Sequence, residues 1–247
     1  MKRIGHKGAD ALETGNTLAS YRTAVELGVD MIELDVVRPQ SDFADGSDWR
    51  RAAAGPASGE PLLNAHDWRD ARRRDPMTLA EALDAFTRAP LDSVEIDLDL
   101  KLAGREDELL AAIRERGLDR RAMVSTMYLD SIAVLRSLDG DLPLGWTYPK
   151  VSRDWLRTWW ARVLSTGALP FMRARLPRLA ERTLPRLGVQ AMWVFHPQIS
   201  PRLVRATDDA GIELIAWTVD DARRMHALVH LGVDGICTND PRIFSAP

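Results

Sequence analysis

The amino-acid sequence predicts an α/β fold, a (β/α)8 TIM barrel with a small insertion after the second strand. Strand patterns alternate with helix patterns along the 247 residues, and this alternation indicates a parallel sheet with helical crossovers. Eight strand patterns centre near residues 4, 34, 97, 124, 145, 192, 216 and 236, and eight parallel strands can close into such a barrel. An open doubly wound sheet is the second choice, because no Gly-x-Gly-x-x-Gly turn follows the first strand.

The first elements are short and clearly delimited. Residues 3–5 predict a strand that leads into His6. A helix follows, which begins at Thr17 and ends at Gly28, because apolar residues recur at helical spacing between them. The second strand covers residues 32–36.

The predicted insertion spans residues 38 to about 90. Residues 38–61 are polar and rich in Gly, Ala and Ser, which is typical of a loop. Residues 61–67 predict a short strand that delivers His66. Thr78-Leu79-Ala80-Glu81 is a capping box, so a helix begins there.

The second half of the chain continues the alternation. Residues 93–101 alternate strictly between apolar and polar side chains, which makes them the clearest strand in the sequence. Further strands are predicted at 122–126, 144–147, 190–194, 213–219 and 234–238, with helices at 106–116, 129–138, 200–211 and 221–231. We therefore expect residues 1–247 to form a single barrel domain.

The composition limits the classes of function. A net charge of −3, with 45% hydrophobic and 28% charged residues, is ordinary for a soluble globular protein and gives no reason to expect a nucleic-acid partner. Cys237 is the single cysteine, so no internal disulfide can form. The N-terminal residues lack the apolar core of a signal peptide, and no apolar run is long enough to span a bilayer. These observations predict a cytoplasmic protein.

Residues 151–187 depart from the barrel rhythm. They combine tryptophans with many arginines and few acids, a pattern typical of a helix that lies on a membrane surface. The alternative is a long excursion between a strand and a helix, whose tryptophans cover the barrel mouth. The sequence favours neither interpretation over the other, and peripheral membrane contact through 151–187 stays a hypothesis.

Two pairs of acids point to metal chemistry. Glu33 and Asp35 share one face of the second strand, because successive side chains in a strand point to opposite faces. Asp97 and Asp99 share a face of the 93–101 strand in the same way. Carboxylates that lie close together repel one another unless a cation sits between them, and Mg²⁺ or Ca²⁺ prefers such oxygen ligands.

Six motifs in order resemble the glycerophosphodiester phosphodiesterase family, and the resemblance runs from one end of the chain to the other. The motifs are His6-Lys7-Gly8-Ala9, Asn16-Thr17, Glu33-Leu34-Asp35-Val36, His66-Asp67, Asp99-Leu100-Lys101, and finally Trp217-Thr218-Val219-Asp220 with Gly232-Val233-Asp234-Gly235-Ile236-Cys237-Thr238. The resemblance implies a (β/α)8 barrel and metal-dependent hydrolysis of a phosphodiester to an alcohol and a phosphomonoester such as glycerol 3-phosphate.

The resemblance also implies roles for individual residues. Glu33, Asp35 and Asp99 correspond to ligands of a divalent metal ion, Mg²⁺ or Ca²⁺. His6 and His66 correspond to the catalytic pair, since one group must take a proton from the nucleophile and another must give one to the leaving alkoxide. The resemblance also places phosphate-binding cations at Lys7 and Lys101. Trp217 is a candidate substrate-binding residue on a separate ground: at the carboxyl end of a strand it could pack against the alcohol, or as a bulky barrel residue it could equally be structural.

Three departures from the family pattern bear on the site. Lys7 replaces an arginine, which keeps the charge but loses bidentate phosphate binding. Gly15 stands where the family carries a glutamate, so a carboxylate expected near the site is absent. Asp99 replaces a glutamate, and Asp97 on the same face is the alternative third ligand; Asp99 is preferred because Lys101 then falls where the family's lysine does.

Two other functions fit the same residues. A lysophospholipase D-like hydrolase that acts on lysophospholipids at a membrane surface is favoured by the Trp- and Arg-rich stretch 151–187. A non-catalytic protein that binds a phosphate ligand is favoured by Lys7 and Gly15.

Overall fold

Eight parallel strands close into a barrel, so the predicted (β/α)8 fold is confirmed. The computed structural model describes residues 1–43, 58–150 and 159–245, with the backbone alone for 159–168. The strands pair in chain order around the barrel, and β8 closes it against β1. They are β1 (Lys2–His6), β2 (Met31–Val36), β3 (Glu95–Leu100), β4 (Ala122–Thr126), β5 (Leu144–Tyr148), β6 (Ala191–Phe195), β7 (Glu213–Trp217) and β8 (Gly235–Thr238).

Helices connect the strands, and side-chain caps fix where several of them begin. Thr17 caps the first helix by accepting a hydrogen bond from the Ser20 N–H, and the predicted capping box between Thr78 and Glu81 is present at the third. The helices are α1 (Leu18–Glu26), α2 (Trp68–Arg73), α3 (Leu79–Ala85), α4 (Glu106–Arg114), α5 (Leu129–Leu138), α6 (Trp159–Leu187), α7 (Pro201–Ala210) and α8 (Ala222–Leu231).

The insertion differs from its predicted form. Residues 61–67 do not form a strand; Leu63 makes only isolated antiparallel bridges to Val37 and Thr78. The short helix α2 follows, because the Asp67 side chain accepts from the Asp70 N–H and caps it. His66 therefore sits at the entry to a helix, where the cap fixes the course of its backbone.

The interior of the barrel is apolar at its base and acidic at its mouth. Met31 of β2 packs inside the barrel with Ile4, Trp193, Ile215 and Cys237. Side chains along a strand alternate between the two faces, so Glu33 and Asp35 follow Met31 on the inner face. The outward residues of the strands instead join the helices in the main apolar core. The acids of β2 thus lie toward the carboxyl end of the barrel, where active sites of this fold form.

Helix α6 carries the described part of the predicted basic excursion. It contains Pro170, Pro177 and Pro185, and Leu176 and Leu184 are buried. Residues 151–158, with Trp155, and the side chains of 159–168, with Trp159 and Trp160, lie outside the described residues. In the part of the chain that is described, no helix is both long enough and apolar enough to cross a bilayer.

Candidate active site

Three carboxylates converge at the mouth of the barrel. Glu33 and Asp35 come from β2 and Asp99 from β3, and oxygen atoms of all three lie within 4.8 Å of one another. Their exposed fractions are 3%, 0% and 8%, respectively. The parallel register of β2 and β3 produces this arrangement, because it sets Asp35 directly beside Asp99. We call these three residues the acidic triad.

Asp97 lies on the same face of β3 but outside the acidic triad. It pairs in register with Glu33 and accepts a hydrogen bond of 2.7 Å from the Ser125 hydroxyl. Burial, reinforced by the neighbouring Asp99, raises the pKa of Asp97 well above its ordinary value. The geometry therefore favours Asp99 over Asp97 as the third member of a cation site.

Lys101 places a positive charge against the acidic triad. Its ammonium group lies 2.5 Å from Asp35 Oδ1, contacts Asp99 as well, and is 3.9 Å from Glu33 Oε1. Burial and the neighbouring Asp35 raise the pKa of Glu33 well above its ordinary value. Burial would also raise the pKa of Asp35, but Lys101 and His66 outweigh it and hold this pKa well below its usual range.

The acidic triad fits a divalent cation. Its donors are all carboxylate oxygens from two neighbouring strands, the set that Mg²⁺ and Ca²⁺ prefer. Among the described residues Asp99 Oδ1 is buried and has no hydrogen-bond partner, and a buried acceptor without a partner is costly. When all three are ionised, these carboxylates carry more negative charge than Lys101 alone neutralises.

His6 ends β1 beside the acidic triad. Its Nε2 lies 3.9 Å from Glu33 Oε2, and its Nδ1 lies 2.6 Å from Asn239 Oδ1. Burial and the nearby Lys7 lower the pKa of His6 to about 4, so the imidazole is neutral at pH 7. Sequence reasoning found His6 but missed Asn239, which follows β8 and is 233 positions away.

His66 reaches the acidic triad from the insertion. Its Nδ1 lies 3.2 Å from Asp35 Oδ2, and its side chain is 51% exposed. Its backbone N–H donates to Asp70 Oδ2 at 3.0 Å, and Arg74 binds both oxygens of Asp70. The Arg74 guanidinium also donates to the Gly15 carbonyl at 2.8 Å. These contacts join α2 to the loop between β1 and α1. Both predicted histidines thus lie beside the acidic triad, His6 next to Glu33 and His66 next to Asp35.

Lys7 adopts an unusual backbone conformation at the site. Its φ is +52°, a left-handed value that is uncommon outside glycine. This conformation lets the Lys7 N–H donate to Glu33 Oε2 at 2.9 Å, while the Lys7 ammonium lies 3.5 Å from Asp10 Oδ2. Asp10 also accepts from the Gly15 N–H at 2.9 Å. Asp10 thus supplies a carboxylate beside Lys7, although Gly15 has lost the one that the family pattern leads us to expect.

A network of buried hydrogen bonds fixes the position of Asp35. Asn16 Nδ2 donates to Asp35 Oδ2 at 2.8 Å, and Asn16 Oδ1 accepts from the Asp35 N–H at 3.1 Å. Asn64 Nδ2 donates to the Asp35 carbonyl at 2.9 Å, and the Tyr21 hydroxyl donates to Asn64 Oδ1 at 2.6 Å. The Asn16-Thr17 motif pointed to Asn16, but no sequence signal identified Asn64.

An aromatic pair lines another side of the barrel mouth. Trp217 ends β7, and its ring lies 5.7 Å from the ring of Phe195 at the end of β6. Among the described residues the buried Trp217 Nε1 has no hydrogen-bond partner. His196 is held by Arg224, whose Nε donates to its Nδ1 at 3.1 Å. Sequence reasoning missed Phe195, because a lone aromatic at a strand end carries no specific signal.

The fold and the site together define a class of protein. A parallel barrel that joins carboxylates, lysines and two histidines at its carboxyl mouth is the site of a barrel enzyme acting on an anionic substrate. The model of the Glycerophosphoryl diester phosphodiesterase family matches residues 6–40 and 69–243. The chain belongs to this family and is a phosphodiesterase, as the sequence motifs predicted.

Individual relatives agree with the family assignment. A glycerophosphodiester phosphodiesterase of Caldanaerobacter subterraneus subsp. tengcongensis is 26% identical, over 96% of this chain and 93% of the relative. The structure of a glycerophosphodiester phosphodiesterase from Agrobacterium tumefaciens matches 100% of this chain and 100% of its own, with a TM-score of 0.66 at 17% identity. An Oleispira antarctica phosphodiesterase, solved with the product sn-glycerol-3-phosphate, matches 100% of this chain and 96% of its own, with a TM-score of 0.63 at 19% identity.

Proposed function

We propose that this enzyme hydrolyses glycerophosphodiesters to an alcohol and glycerol 3-phosphate with the help of a divalent cation. The observation that carries the proposal is the convergence of Glu33, Asp35 and Asp99 beside His6 and His66. Family membership supports the reaction class, and the product bound by the Oleispira antarctica phosphodiesterase supports the substrate. The bound cation, Mg²⁺ or Ca²⁺, would be held by the acidic triad and would neutralise charge on the phosphoryl oxygens.

The two histidines divide the proton transfers in this proposal. His6 is neutral at pH 7 because burial lowers its pKa, so it can accept the proton of the attacking water. His66 Nδ1 lies 3.2 Å from the Asp35 carboxylate, and we assign this histidine as the group that donates a proton to the leaving alkoxide. The water oxygen bonds to phosphorus while the bond from phosphorus to the alcohol oxygen breaks. Each proton transfer contributes roughly 10²–10⁴-fold to the rate.

The remaining polar residues bind the substrate. The Lys101 ammonium contacts the acidic triad, and the Lys7 ammonium lies 3.5 Å from Asp10 in the adjoining loop. Positive charge at these positions stabilises the anionic phosphodiester and its transition state. Trp217 packs with Phe195 at the mouth, and we assign it to the alcohol part of the substrate. Its unpartnered Nε1–H supports this assignment.

The first experiment measures release of alcohol and phosphomonoester from a panel of glycerophosphodiesters and lysophospholipids. Wild-type protein and Glu33→Ala are compared in EDTA, Mg²⁺ and Ca²⁺, with Asp97→Asn as the matched acidic control. We expect turnover that needs metal, is lost in Glu33→Ala and persists in Asp97→Asn. Equal turnover of Glu33→Ala at saturating metal would reject the metal assignment, and no turnover with any metal would favour a phosphate-binding protein without catalysis.

The exposed face of α6 supports lysophospholipids at a membrane surface as a second candidate. Phe171 and Leu179 are 62% and 39% exposed, and Arg175 lies 5.0 Å over the Phe171 ring. Exposed arginines at helical spacing from Arg175 are Arg178, Arg182 and Arg186. Basic and apolar side chains together favour an interface with anionic lipids.

Vesicle binding separates this candidate from an enzyme that acts in solution. The double variant Arg178→Glu/Arg182→Glu is compared with Arg120→Glu, an exposed arginine between α4 and β4. If α6 contacts the membrane, wild type and Arg120→Glu sediment with phosphatidylglycerol vesicles, and the double variant stays in solution. Equal sedimentation of all three proteins, or none with any of them, would reject the contact.

A further inference from the structure

The amide of Asn239 connects His6 to the Asp220 carboxylate. Asp220 follows β7 and Asn239 follows β8, so the two loops meet at the mouth of the barrel. Asn239 Nδ2 donates to Asp220 Oδ2 at 2.8 Å. Asp220 Oδ1 accepts from the Asn239 N–H at 2.8 Å and from the Thr238 hydroxyl at 3.1 Å. Asn239 Oδ1 lies 2.6 Å from His6 Nδ1.

The chemistry of these groups fixes the direction of every hydrogen bond. A carboxylate only accepts hydrogen bonds, so the Asn239 amide must turn its NH₂ group toward Asp220. Its oxygen is then left facing His6, and an amide oxygen also only accepts. His6 Nδ1 must therefore carry the proton. In the neutral imidazole Nε2 is then the nitrogen without one, and Nε2 is the atom that lies 3.9 Å from Glu33 Oε2.

We propose that Asp220 and Asn239 are positioning residues, which hold His6 in the tautomer protonated at Nδ1 and leave Nε2 free to accept a proton. The inference rests on the proposed function, in which His6 takes the proton of the attacking water. The other tautomer carries a proton on Nε2 and cannot accept one there. Asp220 acts through Asn239 and has no contact with His6 of its own in the network described.

The side chains of Asp220 and Asn239 have the same shape and differ only in that an NH₂ group of one replaces an oxygen of the other. The acid and the amide of the pair could therefore exchange places without loss of a hydrogen bond. In Asp220→Asn/Asn239→Asp, the oxygen of residue 220 still accepts from the residue 239 N–H and from Thr238. Its new NH₂ group donates to residue 239, whose second oxygen accepts from His6 Nδ1.

The single substitution Asp220→Asn leaves a donor facing a donor in this network. The oxygen of residue 220 is required by the Asn239 N–H and Thr238, so its NH₂ group faces the NH₂ group of Asn239. The Asn239 amide relieves this conflict by reversing, which turns a donor toward His6 Nδ1. We expect His6 to change to the tautomer protonated at Nε2 and kcat to fall by about 10²-fold, the lower end of a general-base contribution, with little change in KM.

Nitrogen-15 NMR of the histidine rings tests the tautomer without reference to turnover. Spectra of the full chain are recorded at neutral pH in EDTA and in Mg²⁺, with His6→Gln to assign the signal. Wild type and the exchanged double variant should show Nδ1–H, and Asp220→Asn should show Nε2–H. The double variant should also recover most of the kcat lost in the single variant.

Several outcomes would overturn the proposal. They are a wild-type His6 protonated at Nε2, an unchanged tautomer in Asp220→Asn, or a double variant that regains neither the tautomer nor kcat. Failure of the proposed function looks different, because the wild-type protein would then release no product with any metal while the expected tautomers were still observed.

Discussion

Asp35 lies directly beside Asp99 in the parallel register of β2 and β3. The same register sets Glu33 beside Asp97, yet Asp97 stays outside the acidic triad and binds Ser125 instead. Two residues along a strand correspond to roughly 6.6 Å, so Asp97 lies deeper in the barrel. Depth along β3 therefore decides which of its two inward acids is available to a cation.

The substitution Asp99→Asn should weaken metal binding, whereas Asp97→Asn should not. An oxygen of Asp99 lies within 4.8 Å of oxygens of Glu33 and Asp35, and an amide replaces its charge poorly. Asp97 accepts from the Ser125 hydroxyl deeper in the barrel, and the amide oxygen of an asparagine can accept the same hydrogen bond. Titration calorimetry with Mg²⁺ and Ca²⁺ should show a loss of affinity for Asp99→Asn of at least the roughly 10- to 100-fold that removal of a residue supporting a metal ligand costs. A comparable loss in Asp97→Asn alone would make Asp97 the ligand.

The sequence was sufficient for the barrel and for the residues of the acidic triad. Strict alternation along β3 identified the acids on its inner face, and the order of the motifs linked them to Glu33 and Asp35. These are local patterns, which depend on the period of a strand. Boundaries of strands and helices were close to those observed, but the strand predicted at 61–67 is only a pair of isolated bridges at Leu63.

Contacts made by closing the barrel could not be predicted from local patterns. His6 and Asn239 become neighbours because β1 pairs with β8, at opposite ends of the chain. Asn64 reaches Asp35 through the fold of the insertion. No spacing rule connects such positions, since their hydrogen bonds depend on the three-dimensional course of several loops.

Gly15→Ala should destabilise the loop that carries Lys7. A Cβ atom at position 15 would lie 2.3 Å from Asp10 Oδ1 and 2.8 Å from Lys7 Cβ. Asp10 can move its carboxylate, but Lys7 Cβ is tied to a backbone whose N–H binds Glu33. Thermal unfolding should report a loss of about 1–3 kcal/mol, the usual range for overpacking. Gly140→Ala is the matched control, because a Cβ atom there meets nothing within 4 Å, and an equal loss in both variants would contradict the steric argument.

Tyr21→Phe should destabilise the protein through Asn64. Tyr21 is fully buried, and its hydroxyl donates to Asn64 Oδ1 at 2.6 Å. Removal of this donor leaves a buried amide oxygen without its partner, which costs about 1–3 kcal/mol. Urea denaturation measures the change, and Tyr148→Phe is the control, because the Tyr148 hydroxyl makes no hydrogen bond among the described residues. Equal midpoints for Tyr21→Phe and wild type would show that the network does not stabilise the fold.

Lowering the pH should weaken the hydrogen bonds through which Asp42 holds Arg38 and Ser58 in the insertion. Asp42 accepts from Arg38 Nε at 2.9 Å and from the Ser58 N–H at 2.7 Å. Burial alone would raise the pKa of Asp42, but the hydrogen bonds from Ser58 and Arg38 outweigh it and lower this pKa. A carboxyl whose pKa is depressed by folding stabilises the protein above its unfolded pKa, about 3.9 for aspartate, and loses this contribution as the pH falls through the folded value. The free energy of unfolding, measured by urea denaturation from pH 7 downward, should therefore differ most between wild type and Asp42→Asn above pH ~4. The two curves should converge below that pH, and a constant difference throughout would mean that Asp42 acts through packing and not through its charge.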